Sequence, residues 1–172
     1  MATVLVTGGA GYIGSHACKA LEAAGHLPVV YDNLENGHEW AVQWGPFEKG
    51  DIRERARLDA VIARHRPDAV MHFAGYIEVA DSVRDPLRFY RNNVAGSLVL
   101  LQAMHAASVA QIVFSSSCAV YGAPDMVPIS EDIRQQTAPP SATTSMSTIS
   151  PPRMSWRSNI CSPPRIRWCS IS

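Results

Sequence analysis

From Ala138 to Ser172 this chain contains no Asp, Glu, Lys, Gly or Tyr; its last lysine is Lys49 and its last tyrosine Tyr121. Without acids or lysines that stretch has no means of building the ion pairs that dress a solvent-facing helix, and without glycine it has no cheap route to turns that need φ > 0. The chain has no apolar run long enough to cross a bilayer, and no basic leader precedes its first apolar residues, so neither a membrane anchor nor a signal peptide is expected. Its four cysteines, at 18, 118, 161 and 169, lack metal-ligand spacing. Fifteen Lys and Arg cancel fifteen Asp and Glu, which leaves no global field pointing to nucleic acid or a membrane surface. A cytoplasmic enzyme body with reduced thiols is the remaining expectation.

What the chain does contain is concentrated at its start. The largely β-branched Thr3–Thr7 reads as a strand buried on both faces, Gly8, Gly11 and Gly14 follow, and Ser15–Ala24 is rich in helix formers and closes at Gly25. Strand, glycine turn and helix together present free N–H groups and a helix N-terminus to a pyrophosphate. In that arrangement Gly8 permits the tight turn, Gly11 lets backbone approach the phosphates, and Gly14 lets the helix pack closely on the strand. The spacing, Gly-x-x-Gly-x-x-Gly, differs from the common Gly-x-Gly-x-x-Gly. A second strand, Leu27–Tyr31, ends at Asp32. A carboxylate there can accept both ribose hydroxyls of an adenosine and repels a 2′-phosphate, which favours NAD over NADP. The alternative for Asp32 is turn chemistry with Asn33.

Asn33–Gly37 reads as a loop beside the adenosine end, and Trp40 and Trp44 as surface-packing aromatics rather than stacking partners for a base. Phe47–Ile52 predicts a short third strand that carries another acid, Asp51. A helix over Arg53–Arg66 puts Leu58, Val61, Ile62 and His65 on one stripe and stops at Pro67. Asp68–Gly75 is a fourth strand running into a small-residue turn. A long helix follows Pro86, with Leu87, Tyr90, Val94, Leu98, Leu101 and Met104 stepping by three and four; Asn92 and Asn93 interrupt it with amides that serve either a site or solvation. Gln111–Ser115 is the fifth strand. Strands alternating with helices call for an α/β fold with a doubly wound parallel sheet, whose ligands sit at the carboxyl ends of the strands, where Gly11, Asp32, Asp51, Gly75 and Ser117 all fall.

Beyond about residue 133 the character changes. Ala138–Ser172 holds nine Ser, four Arg and six Pro in three Pro-Pro pairs. No strand or helix period persists there, so disorder is expected, and the fifth strand is expected to form the edge of the sheet.

Six segments in order, Thr7–Ser15, Asp32–Leu34, Gly50–Ile52, His72–Gly75, Asn92–Val94 and Ser115–Gly122, resemble the extended short-chain dehydrogenase/reductase family from residue 2 to about residue 132. The resemblance implies an incomplete Rossmann NAD-binding domain over 1–132 and a Ser/Pro/Arg-rich tail over 133–172 foreign to the family. It implies Tyr12 and Ile13 with the three glycines at the pyrophosphate, Asp32, Asn33 and Asn36 at the adenosine ribose, and Asp51 and Ile52 near adenine. Phe73, Ala74 and Gly75 would line the cofactor with Asn92 beside it, and Ser117 would reach the sugar hydroxyl. The activity implied is interconversion of UDP-glucose and UDP-galactose, by oxidation at C4 and return of the hydride to the other face of a 4-keto sugar. Cys118 and Ala119 stand where related dehydratases carry Asp-Glu, which disfavours dehydration.

The same chemistry needs a Tyr-x-x-x-Lys pair after the serine motif, because a phenol with a pKa near 10 is a poor base at neutral pH unless a nearby cation lowers it. With Tyr121 and Lys49 the last of their kinds, no such pair exists. The expectation is therefore a chain that holds NAD without catalysis, carrying a tail that a frameshift or premature stop would produce. The family homodimer pairs the helix after Pro86 with the tyrosine-bearing helix, so the normal dimer is not expected. The competing reading is a non-catalytic NAD-binding or interaction protein that uses its Arg-rich tail.

Overall fold

Successive side chains of a strand point to opposite faces, and the first strand buries both sets. The computed structural model describes residues 1–116 and the backbone of 167–169. In chain order the early elements are β1 (Thr3–Thr7), α1 (Tyr12–Ala23), β2 (Leu27–Asp32), β3 (Phe47–Lys49), α2 (Arg55–His65) and β4 (Ala69–His72). Then come α3 (Val79–Arg84), α4 (Pro86–Phe89), a π-helical stretch (Tyr90–Gly96), α5 (Ser97–Ala106) and β5 (Gln111–Phe114). Leu5 of β1 packs with Leu58 and Ile62 of α2 and Leu100 and Met104 of α5, while Val4 and Val6 pack with Cys18 and Leu21 of α1. Helices thus cover both faces of the sheet, as a doubly wound fold requires.

All strand pairs are parallel, in the order β3-β2-β1-β4-β5 followed by β6 (Arg167–Cys169). The chain moves outward from β1 to β3 and then returns to β4 on the other side of β1, so the strand order reverses between β1 and β4. A crevice opens at such a switch point. The expectation that β5 ends the sheet is corrected: Gln111, Ile112 and Val113 pair with Arg167, Trp168 and Cys169. An edge strand's free N–H and C=O groups are a template for another segment, and that physical demand outweighs the weak period of the sequence there. The expected disorder of 133–172 otherwise concerns residues outside the described ones.

Several boundaries move for local reasons. Helix α1 begins at Tyr12 rather than Ser15, with Gly11 as its extended N-cap. Arg66, left-handed at φ 45, ends α2 just before Pro67. Strands β3 and β4 stop at Lys49 and His72, short of the acid and glycine that follow. Helix α3 was not legible in the sequence. The helix after Pro86 is not one regular stripe either: Leu87, Tyr90, Val94 and Leu98 are 63, 65, 58 and 55% exposed. Its buried face runs instead through Asn92, Gly96, Leu100, Ala103 and Met104. Positions two apart on a helix lie on nearly opposite faces, so the apolar stripe as far as Leu98 looks outward. No helix among the described residues is long and apolar enough to cross a membrane.

Candidate functional site

The glycine turn sits at the reversal of strand order. Gly8 leaves β1 at φ +74 and donates its N–H to the Tyr31 carbonyl at 2.9 Å. A Cβ there would stand 2.6 Å from the Phe73 carbonyl carbon and 2.7 Å from the Ala74 nitrogen, so only glycine lets the loops after β1 and β4 touch. At Gly14 a Cβ would lie 2.1 Å from the Gly8 oxygen. Gly14 therefore seats the first turn of α1 on the glycine turn itself, not on the strand as the sequence suggested. Helix α1 has no side-chain cap and no acid in its first turn. Its leading N–H groups, which no intrahelical carbonyl can reach, are left for an anion at the positive end of a 12-residue helix. Tyr12 and Ile13, in that first turn, are 82 and 57% exposed.

Asp32 is buried at the end of β2, and its carboxylate does two structural tasks. Oδ2 accepts the Ala10 N–H at 3.0 Å, tying the glycine loop to β2, and Oδ1 accepts the Leu34 N–H at 2.8 Å, closing a local turn. A carboxylate oxygen has a second lone pair, so both oxygens keep capacity for a ribose hydroxyl. Asn33 donates to Asp51 Oδ2 at 3.1 Å and accepts the Glu35 N–H at 2.9 Å. Asp51 is further engaged by the Arg53 guanidinium at 2.8 and 2.6 Å, which, with the Arg53 N–H and Asn33, holds its carboxyl down at about 2. The Ile52 side chain is buried in the core and abuts Gly96. Asn36 lines a cavity of about 290 Å³ together with Gly11, Tyr12, His38, Trp40 and Trp44. Trp40 is exposed and stacked on His38 at 5.5 Å, and Trp44 packs on the core beneath α1. A larger cavity, about 780 Å³ between the C-terminal ends of α2 and α5, contains none of the candidate residues.

After β4, Phe73 packs on the α1 side of the sheet and Ala74 on the other. The two asparagines are not surface decoration. Asn92, 5% exposed, donates to the Ala74 carbonyl at 3.1 Å; Asn93 accepts the Tyr76 N–H at 2.8 Å and donates to the Tyr76 carbonyl at 2.9 Å. The π-helical register puts both amides against the loop that carries Gly75. Ser117 lies outside the described residues.

Sequence reasoning passed over the polar ends of the two central strands. His72 is buried, with Nδ1 2.6 Å from Thr7 Oγ1 and Nε2 2.9 Å from Ser97 Oγ. The Ser97 hydroxyl proton goes to the Asn93 carbonyl at 2.7 Å, so Nε2 carries the imidazole proton and Nδ1 accepts from Thr7. Burial lowers the His72 pKa to about 4, which keeps the ring neutral in that chain of bonds. The signal was present, since Thr7 and His72 are polar ends of otherwise apolar strands. No local signal marked Glu35, Tyr76 and Arg88. Glu35 accepts from the Tyr76 hydroxyl at 2.5 Å and from Arg88 Nη2 at 2.7 Å, across 41 and 53 residues.

Fold and crevice together define a Rossmann-type nucleotide domain. Residues 4–147 match the NAD dependent epimerase/dehydratase family, and the chain belongs to it. It is 59% identical over 141 residues to the UDP-glucose 4-epimerase of Rhizobium meliloti, and 57% identical over 142 residues to that of Rhizobium leguminosarum. These alignments cover 82 and 83% of this chain and 43% of each relative, so the chain spans less than half the length of the curated relatives it matches. Among solved structures, UDP-glucose 4-epimerase from Brucella ovis in complex with NAD superposes with a TM-score of 0.72 at 48% identity, over 80% of this chain and 42% of that one. The Bifidobacterium longum enzyme in complex with NAD+ and UDP gives 0.70 at 38%, over 77 and 42%.

Proposed function

We propose that residues 1–132 are an NAD-binding domain of UDP-glucose 4-epimerase type, and that the 172-residue chain binds the cofactor without epimerising a sugar. One observation carries the binding half: the uncapped start of α1 rests on the Gly8 turn while the Asp32 carboxylate reaches into the same loop. The pyrophosphate would lie on the amides after Gly11, and the adenosine ribose at Asp32, Asn33 and Asn36. Asp51 and Ile52 would serve adenine, the latter through its main chain because its side chain is buried. Phe73, Ala74 and Gly75 would line the cofactor, held from behind by Asn92. Bound NAD would supply the hydride acceptor and donor for C4 of a UDP-hexose in a cytoplasmic enzyme.

The catalytic half rests on the chain's own residues. Ser117 is the one member of the catalytic set present, and no tyrosine follows Tyr121 to accept the proton of the sugar hydroxyl. The family match nevertheless continues past residue 132 to residue 147, so the break in composition falls inside a region of family descent. A change of frame would end the family likeness where it occurs, so the match to residue 147 counts against an out-of-frame start near residue 133, and the support for such a tail is the change in composition from Ala138 onward. Neither the complete UDP-sugar site nor the usual homodimer is expected. Calorimetric titration of the pure chain with NAD should show saturable uptake, whereas turnover of UDP-galactose should be absent. No NAD uptake overturns the binding assignment, and turnover overturns the loss of catalysis. Reading the coding DNA downstream of the Tyr121 codon in all three frames tests the tail: a second frame that restores Tyr-x-x-x-Lys supports the shift, and three closed frames refute it.

A further inference from the structure

The loop between Asp32 and Asn36 is held in a shape it would not keep unaided. Leu34 is left-handed at φ 63, a conformation costly for a side chain branched at its γ carbon and maintained only where surrounding bonds over-determine it. One bond comes from within, Asp32 Oδ1 to the Leu34 N–H. The others come from distant parts of the chain and converge on Glu35. Its Oε2 accepts from the Tyr76 hydroxyl, its Oε1 from Arg88 Nη2, and the Arg88 guanidinium also lies 4.5 Å from the Tyr76 ring centroid. Tyr76 is buried and fixed on all sides: edge-on to Phe89 at 5.5 Å, and bonded through its main chain to the Asn93 amide in both directions.

We propose that Glu35, Tyr76 and Arg88 form a clasp that pre-shapes the loop after β2 for the adenosine end of the dinucleotide, and so act as positioning residues for cofactor affinity. The assignment rests on the NAD-binding reading above. The clasp touches the candidate ribose residues directly, because the Asn33 amide that meets Asp51 also lies 3.4 Å from Glu35 Oε2 and Asn33 Oδ1 accepts the Glu35 N–H. It also joins this loop to Ala74 and Gly75 through Tyr76 and the two asparagines. The two loops that flank the glycine turn are thereby set relative to each other before any ligand arrives. A ligand entering a pre-shaped site does not have to pay for ordering it.

The test is calorimetric titration of the full chain with NAD, comparing wild type with Tyr76→Phe, Glu35→Gln, Arg88→Met and the double variant Glu35→Gln/Arg88→Met. Tyr76→Phe keeps the ring and loses one hydroxyl, so it folds even if the charge variants do not. Each single variant should weaken NAD by about threefold to tenfold, as expected for one charge-assisted bond on a half-exposed pair. The double variant should be no worse than the poorer single one, since both remove the same contact. Arg88→Lys should recover part of the loss, and the melting temperature without NAD should change little. Wild-type-like affinity in all variants overturns the clasp, as does a fall in nucleotide-free stability large enough to account for the weakening. Failure of the wild type to bind NAD at all is a different result: it removes the binding assignment, and the clasp's role with it.

Discussion

Two apolar stripes that read alike in sequence meet opposite fates in this molecule. Leu58, Val61 and Ile62 of α2 are 0, 1 and 2% exposed, whereas Leu87, Tyr90, Val94 and Leu98 are all more than half exposed. Periodicity announces that a helix has an apolar face; it does not say which face meets the sheet. On α2 the apolar stripe is the core face. In the helix after Pro86 the core face is a row of small and amide residues, Asn92 and Gly96, continued by Leu100, and Gly96 is there because Ile52 fills the space a Cβ would occupy. The fastenings differ too. Helix α2 is tied to β3 by charge, through Glu48 with Arg57 at 2.7 Å, Arg64 at 2.9 Å and His65 at 2.7 Å. The other helix is tied to the loop after β4 by neutral amides, hydroxyls and the His72 ring.

The comparison breaks most visibly at α2. Leu58→Ala should cost about 2–5 kcal/mol, the range for emptying a fully buried leucine, measured by urea unfolding; a loss under about 1 kcal/mol would mean that α2 does not pack as described. Glu48→Gln should cost about 1–3 kcal/mol, because three cationic or protonatable partners lose the carboxylate that faces them. Acid should separate the two fastenings. Unfolded His72 takes a proton near its ordinary 6.5, while folded His72 stays neutral to about 4, so the unfolded chain binds more protons across that window and stability falls as pH drops through it. Glu48 is held at about 2, first by His65 and then by Arg64 and Arg57, so its contribution is present above 4.5 and is lost as pH falls from there toward 2. Hydrogen exchange followed from neutral pH downward should therefore show Asn92–Leu100 loosening before Leu58–Ile62, and His72→Asn should abolish that order. The smallest effect is expected on the outward stripe: Leu98→Ser should change unfolding stability by no more than about 0.5 kcal/mol. A loss above 1 kcal/mol would show that this face is covered in solution.

Much of the framework was legible because it is local. The limits of β1 follow from its apolar run, the end of α2 near Arg66 from the Pro67 that follows, and the Gly8 turn from a position only glycine tolerates. Asp32 was legible as a carboxylate at a strand end, and its turn reading is met by the bond from Leu34, whereas the hold of its other oxygen on the glycine loop was not inferred. Asp51 was legible as an acid near the site, but its neutralisation by Arg53 was not inferred, although the two are only two residues apart. The rest of what escaped depends on partners far along the chain or on a shift in helical register. Tyr76 reads as an ordinary aromatic after a glycine until Glu35 and Arg88 converge on it.

By itself, then, the sequence determined the alternation of strands and helices, the glycine turn, the acid at the end of β2 and the absence of a tyrosine–lysine pair, because these depend on residue type and near neighbours. The tertiary structure alone decided which helical face is buried, which carboxylates are already spent on arginine or backbone, and how the loops after β2 and β4 are clasped together. Apart from the local bonds of Asp51 with Arg53 and of Asp32 with Leu34, those outcomes are contests between groups tens of residues apart, and they have no expression until the sheet has brought the competitors within bonding distance.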